Sequence, residues 1–234
     1  MKNSIRAAAV GVLFLLASCS SDDSGNGGNT NGFEITNDPM ANEAFDTSNF
    51  GIYKGIFVGS SGSILINMAN DGEVSARLIM DGDIYDFATV EAVAQNQPIV
   101  ALTFTSDDLS FDFYADADGN GAYVADVIFP GHDSGTIQIA KEFSDQLVEC
   151  WEGTYSGEGS GTFNLLISNG IVRGLTKSDD TPDVSYLDGT IETDVVSGFY
   201  DFGDFTGTRT GNTMNGSLTN NESGGGNWIA TRKL

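Results

Sequence analysis

The feature that most constrains the fold is an alternation, from residue 50 onward, of short runs rich in Val, Ile, Phe, Tyr and Thr with Gly, Asn and Asp. β-Branched and aromatic residues favour strands, and Gly, Asn and Asp favour the tight turns between strands. Strands are predicted at Ile64–Met68, Leu109–Tyr114 and Thr162–Ser168. With only four prolines to interrupt strand pairing, the pattern predicts an all-β fold built from antiparallel hairpins.

Five dipeptides suit turns that require positive φ, and they predict successive hairpins. They are Asp71-Gly72, Asp81-Gly82, Asn169-Gly170, Asp188-Gly189 and Asn215-Gly216. One segment, residues 141–150, instead has helical spacing, because Phe143, Leu147 and Cys150 would share one side of a helix. It is predicted to be a short connecting helix.

An internal repeat divides the chain. Gly51-Ile52-Tyr53-Lys54-Gly55 matches Gly153-Thr154-Tyr155-Ser156-Gly157 at an offset of 102 residues, and a Ser-Gly pair follows each. The closing segments, 135–141 and 226–232, also correspond, and each ends on a basic residue. Two related units, 50–149 and 150–234, are therefore predicted, each with seven or eight strands of about five or six residues. To cover their edges, such units are expected to close as small barrels or sandwiches in tandem.

The N-terminus has the pattern of an export signal. Lys2 and Arg6 precede an apolar run, Ala7–Leu16, which is too short for a bilayer span of about 20 residues. The run ends in Leu16-Ala17-Ser18-Cys19, which resembles the lipobox of bacterial lipoproteins. The resemblance implies that residues 1–18 are cleaved and that Cys19 is lipidated. An ordinary secretory signal is the alternative.

Residues 19–49 are predicted to be a flexible acidic, Ser-, Asn- and Gly-rich tether. Its Ser21-Asp22-Asp23 resembles the surface-export signal of Bacteroidota-type lipoproteins, which implies an outer-membrane protein at the cell surface, anchored by lipid. A periplasm-facing lipoprotein is the alternative. Many secreted bacterial β-lipoproteins are similar in having a Gly-x-Tyr-x-Gly opening and a Trp-x-x-x-Arg ending, here Trp228 to Arg232.

The net charge of the chain limits the kinds of partner that it is expected to bind. Cleavage would remove Lys2 and Arg6, leaving 8 basic against 33 acidic residues and a formal charge of −25. Nucleic acid is excluded as an expected partner, because binding it depends on Lys and Arg. Contact with the membrane is expected through the lipid alone. If Cys19 is acylated, Cys150 has no disulfide partner, and it is expected to be a buried apolar residue.

One motif resembles a calcium loop. Asp116, Asp118 and Asn120 stand in an Asp-x-Asp-x-Asn-Gly sequence, where alternating oxygens converge on a hard cation. Position twelve is Val127 instead of the bidentate Glu of an EF-hand, and the flanking segments alternate like strands. The loop is expected at the tip of a hairpin. Calcium is the one cofactor that the sequence suggests.

Catalytic patterns are weak. His132-Asp133-Ser134 has the residue types of a triad, but three consecutive residues cannot adopt its geometry, so a turn is expected. The acidic pairs Asp107-Asp108 and Asp179-Asp180 are interpreted as solvated loops, since adjacent strand residues point to opposite faces. No nucleophile, metal cluster or phosphate loop is evident in the sequence, and the chain is predicted not to be an enzyme.

An aromatic run offers a candidate binding site. Tyr200 and Phe202 would face away from Phe199 on a strand and leave a patch for a glycan or peptide. The sequence thus favours a non-catalytic, surface-anchored module that binds a glycan, a protein or another envelope component. A carboxylate-dependent hydrolase of the glycoside type and a calcium-binding or purely structural lipoprotein are the alternatives.

Overall fold

The structure, a computed structural model, describes residues 33–220 and 224–234. The predicted lipobox, Leu16-Ala17-Ser18-Cys19, and the predicted export signal, Ser21-Asp22-Asp23, lie outside these residues. The described residues form sixteen antiparallel strands after one 3-10 helix, Glu43–Phe45. The predicted all-β fold is confirmed, with two eight-stranded units in tandem.

The first unit is a nearly closed sheet with the strand order β7-β6-β5-β4-β3-β2-β1-β8. Its strands are β1 (Gly51–Val58), β2 (Ser61–Met68), β3 (Val74–Met80), β4 (Asp83–Ala88), β5 (Ile99–Ser106), β6 (Leu109–Ala115), β7 (Tyr123–Ile128) and β8 (Thr136–Lys141). From β1 to β7 each strand pairs with the next one along the chain, and β8 returns to pair with β1. The interior is rich in aromatic side chains.

The second unit is a closed barrel, because its last strand pairs with its first. Its strands are β9 (Val148–Gly157), β10 (Ser160–Ser168), β11 (Ile171–Ser178), β12 (Val184–Glu192), β13 (Val195–Tyr200), β14 (Gly203–Thr210), β15 (Thr213–Asn220) and β16 (Gly224–Arg232). Alternate residues face the interior, where Trp151, Phe163, Phe205 and Trp228 lie in one apolar cluster.

The two units are related in topology. However, the residues that occupy equivalent positions in their strands are shifted by four from the residues that the sequence repeat aligned. Lys141 pairs with Tyr53, whereas its counterpart Arg232 pairs with Trp151. Tyr53 is therefore equivalent to Trp151, at an offset of 98 residues instead of 102. The structural counterpart of Gly153-Thr154-Tyr155-Ser156-Gly157 is Gly55-Ile56-Phe57-Val58-Gly59, so Tyr155 corresponds to Phe57. The match was wrong in register because residues 51–59 contain two such segments, which share Gly55 and each have glycines four residues apart around an aromatic residue.

The units pack against each other through a third apolar cluster, which lies outside both interiors. It joins the outward side chains of Ile56 and Val58 on β1 to those of Cys150, Leu166 and Leu175 in the second barrel. These positions are outward because they alternate with the interior residues of the same strands. The two units thus have separate interiors and one shared interface.

The predicted connecting helix over residues 141–150 is wrong. β8 ends at Lys141, Phe143 bridges to Gln146 in a tight turn, and β9 begins at Val148. Periodicity cannot separate a helix from a strand and turn over so few residues. Val148 and Cys150 share a face because of the two-residue period of β9, and that face is buried in the interface.

Three of the five predicted turn dipeptides lie in turns. Asp81-Gly82 has φ values of 55° and 91°, Asn169-Gly170 has 51° and 76°, and Gly72 has 101°. Asp188-Gly189 and Asn215-Gly216 instead lie inside β12 and β15, so those two predictions are wrong. At both positions a Cβ would overlap a backbone oxygen of the neighbouring strand. Glycine is therefore needed there for close approach of two strands instead of a turn.

The predicted tether over residues 19–49 is wrong for residues 33–49. Phe33 packs against the interface cluster, and the Arg232 guanidinium donates to Asn37 Oδ1 at 3.2 Å and to the Thr36 carbonyl. Lys141 Nζ donates to the carbonyl of Phe45 at 2.8 Å. These residues form an ordered segment that packs against both units and is hydrogen-bonded to them.

Candidate functional site

One end of the second barrel holds a cavity of about 640 Å³. It opens between the β9–β10 turn, the β11–β12 loop and the β13–β14 turn. Its floor is apolar, formed by Phe163, Leu187 and Leu218. The other end of the same interior is filled by large side chains of the apolar cluster, such as Trp151, Ile167 and Met214.

The space arises from a change of residue size along the inward faces of two strands. On β11 the inward side chain is apolar at Val172, absent at Gly174, and small and polar at Thr176. On β12 the inward side chain changes from Leu187 to Ser185 toward the same end. Because small side chains replace large ones there, the interior of the barrel is not filled.

The equivalent end of the first unit is filled. Phe57, the counterpart of Tyr155, contacts Phe129 at a ring-centroid distance of 5.5 Å and His132 at 5.8 Å. Phe87 lies 6.1 Å from Phe129 in the same group. The first unit therefore has an aromatic plug where the second has a cavity.

Aromatic residues also form the wall of the cavity. The Phe163 ring stacks on Trp228 at 4.8 Å, and Tyr200 contacts Phe202 edge-on at 6.2 Å. The Tyr200 hydroxyl donates to the carbonyl of Thr219 at 3.0 Å, which fixes the ring. Burial, together with the neighbouring Tyr155 and Asp204, raises the pKa of Tyr200.

The structure brings the two predicted ligand-binding residues, Tyr200 and Phe202, together at this cavity. Phe199 is 60% exposed and Phe202 is 51% exposed, but only Phe202 lines the cavity. Their role in binding stays a prediction. Thr176 and Ser185, which line the cavity on the neighbouring strands β11 and β12, were missed because nothing in the local sequence distinguishes a small inward residue from an ordinary polar one.

The rim of the cavity is acidic. The exposed residues Glu158, Asp180 and Asp183 line it, and no described lining residue is Lys or Arg. Asp179 and Asp180 are both exposed, which agrees with the sequence interpretation of this pair as a solvated loop. The surroundings of the two carboxylates differ. Asp179 accepts a hydrogen bond from Ser160 Oγ at 2.6 Å, whereas Asp180 lines the cavity.

A smaller cavity of about 360 Å³ lies between the units, beside Lys141 and Arg173. The Lys141 ammonium is already bonded to backbone oxygens, at 2.8 Å from Phe45, 3.2 Å from Asp46 and 3.0 Å from Asp118. Burial lowers the pKa of Lys141. With its donors occupied in this way, Lys141 has a structural role in holding the N-terminal segment.

The predicted calcium loop connects β6 to β7 and lies at the tip of a hairpin, as expected. Asp118 accepts hydrogen bonds from the Asn120 amide at 3.0 Å and from Asn120 Nδ2 at 2.8 Å, and these bonds lower the pKa of Asp118. Asp116 accepts a backbone hydrogen bond from Gly119 at 2.9 Å. Across residues 33–220 and 224–234, no group of three or more His, Cys, Asp or Glu is placed to hold a metal ion. Calcium binding here stays a prediction.

The other residues that the sequence offered as candidates for catalysis lie in turns or in the interface between the units. His132 follows Phe129 in the predicted turn, where its amide donates to the Phe129 carbonyl at 2.9 Å. Asp107-Asp108 forms the exposed turn between β5 and β6. Cys150 is completely buried in the interface, as predicted, and burial raises the pKa of its thiol. A buried thiol that keeps its proton is not a nucleophile.

Comparison with protein-family models, with curated proteins and with solved structures gave no match. Within the part of the chain that the structure describes, no helix has the length and hydropathy needed to cross a membrane.

Proposed function

We propose that this protein is a non-catalytic binding protein whose second barrel holds a small molecule in its open end. The observation that carries the proposal is the cavity of about 640 Å³, which lies within the range of about 300–1,000 Å³ typical of small-molecule sites. Its apolar floor and aromatic wall residues are of the kind that such sites use to bury a ligand, although its opening is more polar and acidic than usual. The aromatic plug of the first unit supports one site per chain.

The proposed location is the outer membrane, with a lipid on Cys19 and the barrels at the cell surface. Support comes from Leu16-Ala17-Ser18-Cys19 and from the Ser21-Asp22-Asp23 sequence that follows. Stable anchoring needs more than one acyl chain, because a single chain binds a bilayer only reversibly. A surface position would expose the cavity to molecules outside the cell.

Binding is tested with the neutral dye Nile red and the chain from residue 20 onward, which retains every described residue. The dye is expected to bind at one site per chain, with a blue-shifted rise in fluorescence. Ser185→Trp should weaken binding at least about tenfold, or about 1.4 kcal/mol, because the indole would fill the cavity. Thr176→Phe is a second filling variant, should the first fail to fold.

Tyr186→Trp is the matched control. Tyr186 is the next residue on β12, is 55% exposed and does not line the cavity, so the same indole on the outer face should leave binding unchanged. Equal dye affinity in a folded filling variant and in this control would overturn the proposal.

A carboxylate-dependent hydrolase is the second candidate, favoured by one observation: Glu158, Asp180 and Asp183 line a concave site. All three are exposed, however, whereas a carboxylic acid that donates a proton in catalysis is normally held in an apolar pocket. Release of 4-nitrophenol from 4-nitrophenyl glycosides, lost in both Asp180→Asn and Asp183→Asn, would replace the binding proposal with hydrolysis.

A further inference from the structure

We propose that the ligand of the second barrel is an organic cation with a flat apolar body. This inference rests on the proposed binding function and names the chemical class that the site recognises. It follows from three properties of the cavity: the charge of its rim, the aromatic character of its wall and the kinds of polar atom that it presents.

The rim favours positive charge. Glu158, Asp180 and Asp183 place three carboxylates around the opening. The nearby Lys177 occupies the alternate position of β11, and its ammonium is bonded to the Ser178 carbonyl at 3.2 Å. Negative charge concentrated at the mouth of a low-dielectric cavity attracts cations and repels anions. The formal charge of −23 over the whole chain acts in the same direction.

The wall of the cavity provides aromatic side chains. Tyr155, Tyr200 and Phe202 line the cavity together with Phe163 at its floor. An organic cation within about 6 Å of an aromatic ring centroid is attracted by the negative face of the ring. The bond from the Tyr200 hydroxyl to Thr219 holds that ring in place before a ligand enters, so little ordering is needed on binding.

Two wall hydroxyls and the three rim carboxylates offer acceptors to a ligand that donates. The Thr176 hydroxyl already donates to the Thr162 carbonyl at 2.8 Å, and the Tyr200 hydroxyl donates to Thr219. Both hydroxyl oxygens can therefore act toward a ligand only as acceptors, as can the three rim carboxylates when ionised. A carboxylate or sulfonate ligand would bring only acceptors to this wall.

The test compares two fluorescent probes of similar size and opposite charge. Berberine is a flat aromatic cation, and 1-anilinonaphthalene-8-sulfonate is an aromatic anion with a flat naphthalene body. At low salt the chain from residue 20 onward should bind berberine at least about tenfold more tightly than the anion. Raising the salt to about 0.5 M should weaken berberine binding, because salt screens the rim charges.

The charge of the rim is tested with Asp180→Asn/Asp183→Asn. This variant should lose about fivefold or more in berberine affinity and gain affinity for the anion. Asp108→Asn/Asp133→Asn is the control, since it removes the same charge from exposed turns of the first unit and should leave berberine affinity within about twofold of the original. Equal losses in both variants would mean that only net charge matters, and would overturn the inference.

The outcomes separate this inference from the proposed function. If Nile red binds and Ser185→Trp blocks it, but the anion binds as tightly as berberine, the ligand class is wrong and the binding function stands. If berberine binds equally to a folded Ser185→Trp variant, it binds outside the cavity and the inference is wrong. If none of the three dyes binds, both proposals are wrong.

Discussion

Lys54 and Glu142 form a buried ion pair at the junction of the two units, with Lys54 Nζ 2.5 Å from Glu142 Oε2 and side-chain exposures of 1% and 0%. The same carboxylate accepts the Met40 amide at 2.6 Å and the Val148 amide at 3.0 Å. It therefore joins the N-terminal segment, the first strand of one unit and the first strand of the other.

Removing one member of this pair should be strongly destabilising. Lys54→Met leaves the Glu142 carboxylate buried without its cation, and an uncompensated buried charge costs about 3–5 kcal/mol. The free energy of unfolding, measured with urea, should fall by about that amount.

Arg77→Met is the control for the ion pair. Arg77 also stands on a strand of the first unit, but its pair with Asp86 is 46% and 64% exposed. Exposed pairs contribute about 1 kcal/mol or less. Similar losses in the two variants would contradict a central role for the buried pair.

Asn164 is expected to be a second polar residue that stabilises the junction of the two units. Its Nδ2 donates to the Phe57 carbonyl of the first unit at 2.8 Å, and its Oδ1 accepts the Gly153 amide at 3.0 Å. Asn164→Ala should leave both backbone groups unsatisfied, at about 1–3 kcal/mol each. Asn215→Ala, on an exposed position of β15, should change the unfolding free energy by less than about 0.5 kcal/mol. Thermal or urea unfolding that ranks the two variants equally would rule out this role.

Glu152 should make stability depend on pH. Burial raises the pKa of this carboxyl above its ordinary value of 4.5, although the hydrogen bond from Ser63 Oγ at 2.7 Å and the nearby Lys233 act the other way. When the folded-state pKa is raised, the contribution to stability is fully present below the unfolded pKa and is lost as pH rises through the folded pKa.

Glu152→Gln removes this titration and keeps an oxygen that can accept from Ser63. The variant should match the original protein below pH 4.5 and should be more stable than it at pH 7. Urea unfolding at several pH values measures the difference. Glu43→Gln, at an exposed position, should follow the original profile, and the prediction fails if Glu152→Gln follows it too.

Much of the fold followed from the sequence because hairpin signals are local. Asn169-Gly170 was recognisable as a turn from two residues, but the similar pair Asn215-Gly216 lies inside a strand. What distinguishes them is the neighbouring strand β14, whose backbone approaches Gly216 at Thr206 and Gly207 and which lies outside the two-residue pattern. The four-residue error in the repeat has a longer-range origin, since the register is set by the pairing of Tyr53 with Lys141.

The candidate site was predictable only in part. The aromatic run indicated Tyr200 and Phe202, whose alternation with Phe199 is local. The space beside them depends on the small inward side chains of Ser185 and Thr176 on the neighbouring strands of the closed barrel. It also depends on the described lining residues including no counterpart of Phe129, which fills the equivalent end of the first unit. No local pattern carries that information.

Lipidation is tested by labelling the full-length chain with radioactive palmitate in a bacterium. Label is expected in the original protein and is expected to be absent from Cys19→Ser, because the acyl chains would attach to that thiol. Cys150→Ala is the control and should keep the label, since Cys150 is buried in the interface. An unlabelled original protein, or a labelled Cys19→Ser, would contradict the proposed anchor.

The most direct test of a ligand site in the second barrel is an NMR titration of the amide signals with berberine. The largest chemical-shift changes are predicted at Thr176, Ser185 and Tyr200, which line the cavity. Changes concentrated on the outer face around Tyr186 and Phe199, changes spread over the first unit, or no change at millimolar berberine would contradict the account.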